Sequence, residues 1–182
     1  RKYTFFIGAT KEDLGPARSK IIDAILKAGH IPCGMELWAA GYDPLLHNIE
    51  SHLEKCDAHV IIVGARYGGY ISGEDKSFTE WEYNKSKGKR PILAFLLDKK
   101  EYPKEREKII EGDPSEKEKE EKLKKFREEL RSSRVCNYFS NDKKGISDLG
   151  LMVINAIHGL INASRINNEK GITDVKGLDG TA

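Results

Sequence analysis

Apolar residues in this chain occur in two patterns, short continuous runs and longer stretches with a helical period. Continuous runs cover residues 3–10, 58–65 and 91–97, and small or charged residues follow each of them. Between the first two runs, Ile21, Ala24, Ile25 and Ala28 recur at helical spacing, and Gly29 follows where a helix cap is expected. Buried parallel strands show continuous runs and amphipathic helices show the longer period. The pattern therefore predicts an α/β fold.

Two weaker runs complete a predicted parallel sheet of about five strands. They are HIPCGMELW, residues 30–38, and RVCNYF, residues 134–139. Helical stripes at residues 46–53 and 149–160 predict further helices, so helices should cover both faces of the sheet. Right-handed crossovers then bring the loops that follow the strands to one edge, where such folds bind ligands.

Two segments depart from this alternation. Residues 99–133 are strongly charged, and Asp113-Pro114-Ser115-Glu116 resembles a helix start with an N-cap, a proline and a capping glutamate. We interpret this segment as an inserted, solvated surface helix, with a charged partner-binding element as the alternative. Residues 1–163 form the predicted domain. Residues 164–182 have few large apolar side chains and are predicted to be a linker or tail leading to a further domain.

Composition excludes several classes of function. The 31 basic and 29 acidic residues nearly cancel, which gives no electrostatic case for direct binding to nucleic acid. No uninterrupted apolar run approaches the roughly 18 residues of a membrane span. The three cysteines lack a CxxC spacing, and His47 and His52 are too far apart for one helical face, so no metal site is predicted. We expect a cytoplasmic protein with reduced thiols.

Several segments in order resemble TIR domains, specifically a TIR-like family long catalogued as a domain of unknown function. The matching segments are FFIGATKEDLGPARSKIIDAILKAGHIPCGME, IESHLEKCDAHVIIVGARYG, SFTEWEY, KGKRPILAF and LKKFREELRSSRVCNYFS. The resemblance covers most of residues 3–163 and implies a flavodoxin-like sheet. A neighbouring family, the nucleoside 2-deoxyribosyltransferases, is similar in layout, because Asp57 precedes the central strand and EWEY echoes its ExGYA motif.

The resemblance implies an enzyme that cleaves NAD at the nicotinamide–ribose bond, with NAD as substrate and no cofactor. Such domains often serve in bacterial antiviral defence, fused to a sensor and activated by self-association. Two alternatives stay open: a self-associating adaptor without catalysis, and an N-glycosidase of the transferase type. Each analogy rests on fold and motif alone.

Cleavage of a ribosyl–nitrogen bond builds positive charge on the sugar, which a nearby carboxylate stabilises. Two candidates, Glu80 and Glu82, differ by about 200° in direction on a helix, so both cannot face one pocket. Glu80 lies eight residues before Gly88-Lys89 and three before Tyr83, as the working glutamate does in both families. Glu80 is therefore the first choice and Glu82 the second. Either can instead complete a capping box, with Ser77 or Thr79 respectively.

Loops at the ligand edge supply the other candidates, each with a structural alternative such as a turn, core packing or a solvated helix position. Backbone N–H groups after the first strand could hold phosphates, Arg18 could pair with a pyrophosphate, and Trp38 could stack on a base. The predicted ligand-binding residues are Phe6, Ile7, Gly8, Ala9, Thr10, Arg18, Glu36, Trp38, Arg66, Tyr67, Gly68 and Ser77.

Overall fold

Five parallel strands form a single sheet in the computed structural model, which describes residues 1–34 and 44–169. The strands are β1 (Thr4–Gly8), β2 (Ile31–Cys33), β3 (Ala58–Val63), β4 (Ile92–Leu97) and β5 (Asn137–Phe139). Their order is β2-β1-β3-β4-β5, which places β3 at the centre, with all six of its residues buried. The predicted sheet is confirmed. Within the described residues, β2 and β5 are shorter than the apolar runs that predicted them, and each pairs with one neighbour.

In the part of the chain that the structure describes, six α-helices cover both faces of this sheet, as predicted. They are α1 (Lys11–Lys27), α2 (Leu45–Glu54), α3 (Phe78–Ser86), α4 (Tyr102–Gly112), α5 (Glu120–Ser133) and α6 (Lys143–Glu169). The α1 helix begins ten residues before Ile21, the first residue of the predicted stripe, and has a kink at Leu14 ahead of Pro16. Gly29 follows its last turn with a φ of +83°, the left-handed conformation predicted for the cap.

Alternate residues along the strands belong to separate apolar clusters on the two faces of the sheet. On one face Ile7, Val60 and Ile62 pack against α1 and α6. On the other, Ile61 and Val63 pack with residues of α3 and α5, and Phe6 packs with residues of α2 and α3. This alternation leaves the loops at the carboxyl end of the sheet to form a site.

The α6 helix carries the most apolar helical stretch among the described residues. By length and composition, residues 143–165 could cross a membrane. Leu149, Val153 and Ile157 are instead fully buried in the cluster that joins α6 to the sheet. The stripe of α6 that faces the sheet is therefore part of the core, whereas Leu151 on another side of the helix is exposed.

The charged segment connects two neighbouring strands instead of being added to a finished sheet. Because β4 and β5 are parallel, their connection must cross the sheet, and residues 102–133 make this crossing. We call residues 102–133 the charged crossover; it includes a 3₁₀ helix, Pro114–Lys119, between α4 and α5. The narrow apolar stripe of α5, formed by Leu123, Phe126 and Leu130, is buried. The prediction of a solvated segment is wrong for three charged side chains, Arg106, Glu116 and Arg127, which are also buried.

Candidate active site

A cavity of about 300 Å³ opens at the carboxyl edge of the sheet. The ends of β1 and β3 lead into it, and the first turns of α1 and α3 close its sides. Its volume lies at the lower end of the range for small-molecule sites, about 300 to 1,000 Å³. The described residues that line it are Ala9, Thr10, Glu12, Arg18, Leu45, Arg66, Gly68, Gly69, Ser77, Phe78, Thr79 and Glu82.

Glu82 is the buried carboxylic acid of this cavity. It lies in the second turn of α3 and is only 5% exposed. Burial raises its pKa to about 8, and the positive charge of Arg18 opposes part of that shift. Arg18 is itself buried and donates a hydrogen bond from Nη1 to the carbonyl oxygen of Ala9 at 3.2 Å. The alternative in which Glu82 only completes a capping box with Thr79 is wrong, because α3 begins with Ser77 as its N-cap.

Gly8, the last residue of β1, allows Glu82 to approach the sheet. A Cβ atom on Gly8 would lie 2.7 Å from Glu82 Oε2 and 2.8 Å from His59 Nε2, both closer than real contacts allow. The space beside Gly8 is therefore shared by Glu82 and His59, and a side chain at this position would displace one of them. Gly8 was predicted to bind ligand, but its observed contribution is room for Glu82.

His59 is a fully buried residue of β3 behind Glu82. Burial, with the nearby charges of Arg90 and Arg134, lowers its pKa to about 3, so the imidazole is neutral. Its Nδ1 lies 2.9 Å from Ser86 Oγ. Its Nε2, which faces Gly8, has no hydrogen-bond partner within residues 1–34 and 44–169. A neutral ring leaves Arg18 as the charged group that acts on Glu82.

Glu80 has a different environment from Glu82. Its backbone N–H donates to Ser77 Oγ at 3.2 Å, so Ser77 is the N-cap of α3. The capping box is only half formed, because the Ser77 N–H donates to the Tyr67 hydroxyl and not to Glu80. The Glu80 side chain accepts a hydrogen bond from the hydroxyl of Tyr67. Glu80 is not among the described residues that line the cavity.

The other predicted ligand-binding residues divide into three groups. Ala9, Thr10, Arg18, Arg66, Gly68 and Ser77 all line the cavity. Phe6, Ile7 and Tyr67 do not, because their side chains are buried in the clusters on the two faces of the sheet. Glu36 and Trp38 lie outside the described residues.

Besides Gly69, which adjoins the predicted Gly68, four lining residues were missed by the sequence reasoning: Glu12, Leu45, Phe78 and Thr79. Thr79 lies three positions before Glu82, so the two share one face of α3, and that spacing could have identified both together. Glu12 could not be found in this way, because it reaches the site through an ion pair of 2.9 Å with Arg66, far along the chain.

Asp13 is a further carboxyl group near the cavity, and unlike Glu82 it is only half-buried. Burial raises its pKa to about 6, although a hydrogen bond from the Thr10 hydroxyl acts in the opposite direction. Asp13 Oδ2 lies so near Gly64 that a Cβ atom there would be 2.7 Å away. Among the described residues, no group of three histidine, cysteine, aspartate or glutamate side chains could hold a metal ion.

Comparison with known proteins agrees with this architecture. The family model of a domain of unknown function, DUF4062, matches residues 4–150. A solved structure with a similar fold contains the TIR domains of the activated Roq1 resistosome directly recognizing the pathogen effector XopQ. It aligns with a TM-score of 0.56 and 13% identity, over 86% of this chain and 99% of that one. Among curated proteins, none matches the sequence. The chain therefore belongs to the DUF4062 family, a domain of unknown function, and its fold is similar to that of TIR domains.

Proposed function

We propose that this domain cleaves the nicotinamide–ribose bond of NAD, with Glu82 as the working carboxylate. The observation that carries the proposal is a buried acid lining a small-molecule cavity at the ligand edge of a TIR-like sheet. Buried carboxyl groups with a strongly raised pKa concentrate at functional sites. This assignment replaces the first choice, Glu80, with the second.

The reaction requires little more than such a carboxylate. The bond between C1′ of the ribose and the pyridinium nitrogen breaks, and its electron pair leaves with neutral nicotinamide. Positive charge then develops on C1′ and the ring oxygen, where ionised Glu82 would stabilise it. Water adds to C1′, its proton passes to solvent, and the products are nicotinamide and ADP-ribose. No general acid is needed, because the leaving group departs uncharged.

Binding of the positively charged nicotinamide ring would convert Glu82 to its ionised form. Glu82 has a pKa of about 8, so before substrate binds its carboxyl group is protonated at neutral pH. A pyridinium ring carries a positive charge, and an opposite charge within a few ångströms favours the carboxylate. Substrate binding would therefore drive the proton from Glu82 before the bond breaks.

Arg18 and Arg66, which both line the cavity, have different roles in this proposal. Arg18 lies beside Glu82 and would limit how far the acid remains protonated. Arg66 pairs with Glu12 at 2.9 Å and with Asp113 at 3.0 Å, so its charge is largely compensated. We therefore expect Arg66 to shape the wall of the cavity more than to attract a phosphate.

Glu82→Gln and Glu80→Gln together test this assignment. Each change keeps the shape of the side chain and removes its charge. In protein assembled through a fused oligomerising module, we expect Glu82→Gln to lower nicotinamide release at least 100-fold. Glu80→Gln should retain at least a tenth of the activity, because an amide oxygen can still accept from Tyr67. Released nicotinamide is measured by chromatography, and thermal melting checks that both variants fold.

Each other result has a definite meaning. Assembled wild-type protein that releases no nicotinamide would contradict the enzyme proposal. Release of a base from a deoxynucleoside with NAD untouched would favour the transferase-type alternative. Loss of turnover in Glu80→Gln alone would return the assignment to Glu80.

Self-association without catalysis is the second candidate function. The observation that favours it is the likeness to TIR domains described within an activated resistosome. In either case we propose a cytoplasmic domain that assembles with further copies of itself. A role in antiviral defence, with a fused sensor as trigger, is part of the same proposal.

A further inference from the structure

Glu116, in the 3₁₀ helix of the charged crossover, binds a loop that is distant in sequence. Its side chain is 0% exposed. Oε2 accepts from the backbone N–H of Tyr67 at 3.1 Å, and Oε1 accepts from that of Gly68 at 3.3 Å. Gly68 has a φ of +94°, a left-handed conformation that glycine adopts without strain. The expected capping role of Glu116 is wrong, because its carboxylate crosses to the loop after β3.

The charged groups around Glu116 keep it ionised. Burial alone would raise its pKa, but hydrogen bonds from Arg106 and from the Tyr67 N–H hold the pKa below its usual range. Arg106 Nη1 lies 2.8 Å from Glu116 Oε2 and also donates to the carbonyl oxygen of Ala65 at 3.0 Å. Lys119 donates to the carbonyl oxygen of Gly68 at 2.8 Å. Side chains of the crossover thus hold the loop through both its N–H and its carbonyl groups.

The same loop forms one wall of the cavity and continues to α3. Arg66, Gly68 and Gly69 line the cavity. The Tyr67 hydroxyl donates to Glu80 and accepts from the backbone N–H of Ser77 at 3.2 Å. Tyr67 therefore joins the loop to the first turn of the helix that carries Glu82.

We propose that Glu116 is a positioning residue of the candidate active site. Its carboxylate fixes the loop 66–69 in the shape that lines the cavity and, through Tyr67, fixes the start of α3. The kinetic consequence rests on the proposed function. The loop geometry does not, because it can be measured without turnover.

Glu116→Ala, with and without acetate, provides the test. The truncation leaves space for a small carboxylate where the side chain was. We expect the Tyr67 and Gly68 amide protons to exchange at least tenfold faster, measured by NMR, while the amide of Ile61 in β3 is unchanged. Acetate should restore slow exchange and acetamide, which is uncharged, should not. In assembled protein, kcat/KM for nicotinamide release should fall at least tenfold and recover with acetate.

Two variants separate positioning from general stability. Glu118→Ala removes an exposed glutamate from the same 3₁₀ helix and should change neither measurement. Val153→Ala truncates a fully buried residue of α6 and lowers stability without touching the cavity lining. It should leave kcat/KM within twofold of wild type.

Unchanged exchange at Tyr67 and Gly68 would overturn the proposal. Equal restoration by acetate and acetamide would overturn it, because the negative charge would then not be needed. Restoration by neither would also overturn it, because a carboxylate in this space would then not hold the loop. A loss of kcat/KM no larger than in Val153→Ala would also overturn it. If Glu116→Ala does not fold, Glu116→Gln is measured instead. The Tyr67 and Gly68 amide protons must then exchange at least tenfold faster than in the wild type, and a smaller change would overturn the proposal. If the wild type releases no nicotinamide, the proposed function fails while the exchange experiment still decides on Glu116.

Discussion

At the scale of single residues, Glu82 stays protonated because burial removes water from its carboxyl group. Its pKa of about 8 lies well above the ordinary 4.5, so between these values the folded protein holds a proton that the unfolded chain has released. Folding therefore binds a proton in this interval. Stability contributed by that proton is complete below about pH 4.5 and is lost as pH rises towards 8.

This linkage predicts a pH-dependent difference between the wild type and Glu82→Gln. One extra proton in the folded state corresponds to a loss of about 1.4 kcal/mol of unfolding free energy per pH unit. Between about pH 6.5 and 8 we expect wild-type stability to fall with that slope, and Glu82→Gln to lack it. Urea denaturation at several pH values measures both slopes.

The difference between the wild type and Glu82→Gln isolates Glu82. Asp13, with a raised pKa, and His30, His52 and His59, with lowered pKa values, are present in both proteins and contribute equally to both curves. Glu80→Gln is the matched control and should follow the wild-type slope. Parallel curves for the wild type and Glu82→Gln would show that Glu82 is ionised in the folded protein.

Sequence reasoning found the two glutamates but ordered them differently from the structure. The spacing to Gly88-Lys89 follows the resemblance and selected Glu80. The direction of each side chain depends on where α3 begins, and Ser77 fixes that start by accepting from the N–H of Glu80. Tyr67 then takes the Glu80 side chain, and Gly8 gives Glu82 its space. Neither contact is visible in the motif.

At the scale of elements, α5 ties together the ends of two neighbouring strands. Arg127 donates to the carbonyl oxygens of Val63 at 3.4 Å and Gly64 at 3.2 Å, and to that of Leu97 at 3.0 Å. Its guanidinium also lies 4.2 Å from the centre of the Tyr102 ring. These carbonyl groups end β3 and β4, so Arg127 satisfies acceptors that the sheet leaves unpaired.

Arg127→Met should therefore destabilise the protein although it adds an apolar side chain to a buried position. The buried carbonyl groups would lose their donor, which costs about 2 to 4 kcal/mol in total. Chemical denaturation measures the loss. Lys125→Met, an exposed change in the same helix, should stay within about 0.5 kcal/mol of wild type. Equal stability of both variants would indicate that water replaces the guanidinium.

The sheet and most helices were predictable because apolar periodicity reflects burial directly. The buried charges of the crossover were not, because composition treats an arginine or glutamate as solvated. Glu116 and Arg127 bond main-chain groups on other elements, 30 to 64 residues away along the chain. Such partners are set by the fold and leave no local pattern.

At the scale of the whole molecule, the nearly neutral charge gives little net repulsion between copies and no long-range attraction. The formal net charge is +2, so assembly by this domain would depend on local surfaces. If activity requires neighbouring copies, total activity should rise more steeply than protein concentration. We expect a gain of at least tenfold when the domain is fused to an oligomerising module.

A monomeric variant of that fusion module provides the control, with light scattering to report the size of each species. Activity per molecule that stays constant from monomer to oligomer would contradict activation by assembly. The comparison is made with wild-type Glu82 present throughout, so it does not depend on the assignment of the carboxylate.

The short outer strands limit how such copies can meet. β2 and β5 have three residues each, and they are the two borders of the sheet. A border of this length presents few free main-chain groups to another chain, so continuing the sheet from one molecule into the next would gain little hydrogen bonding. Filament growth by strand addition is disfavoured by this architecture, and the specificity of any contact between copies must reside in side chains on helices and loops.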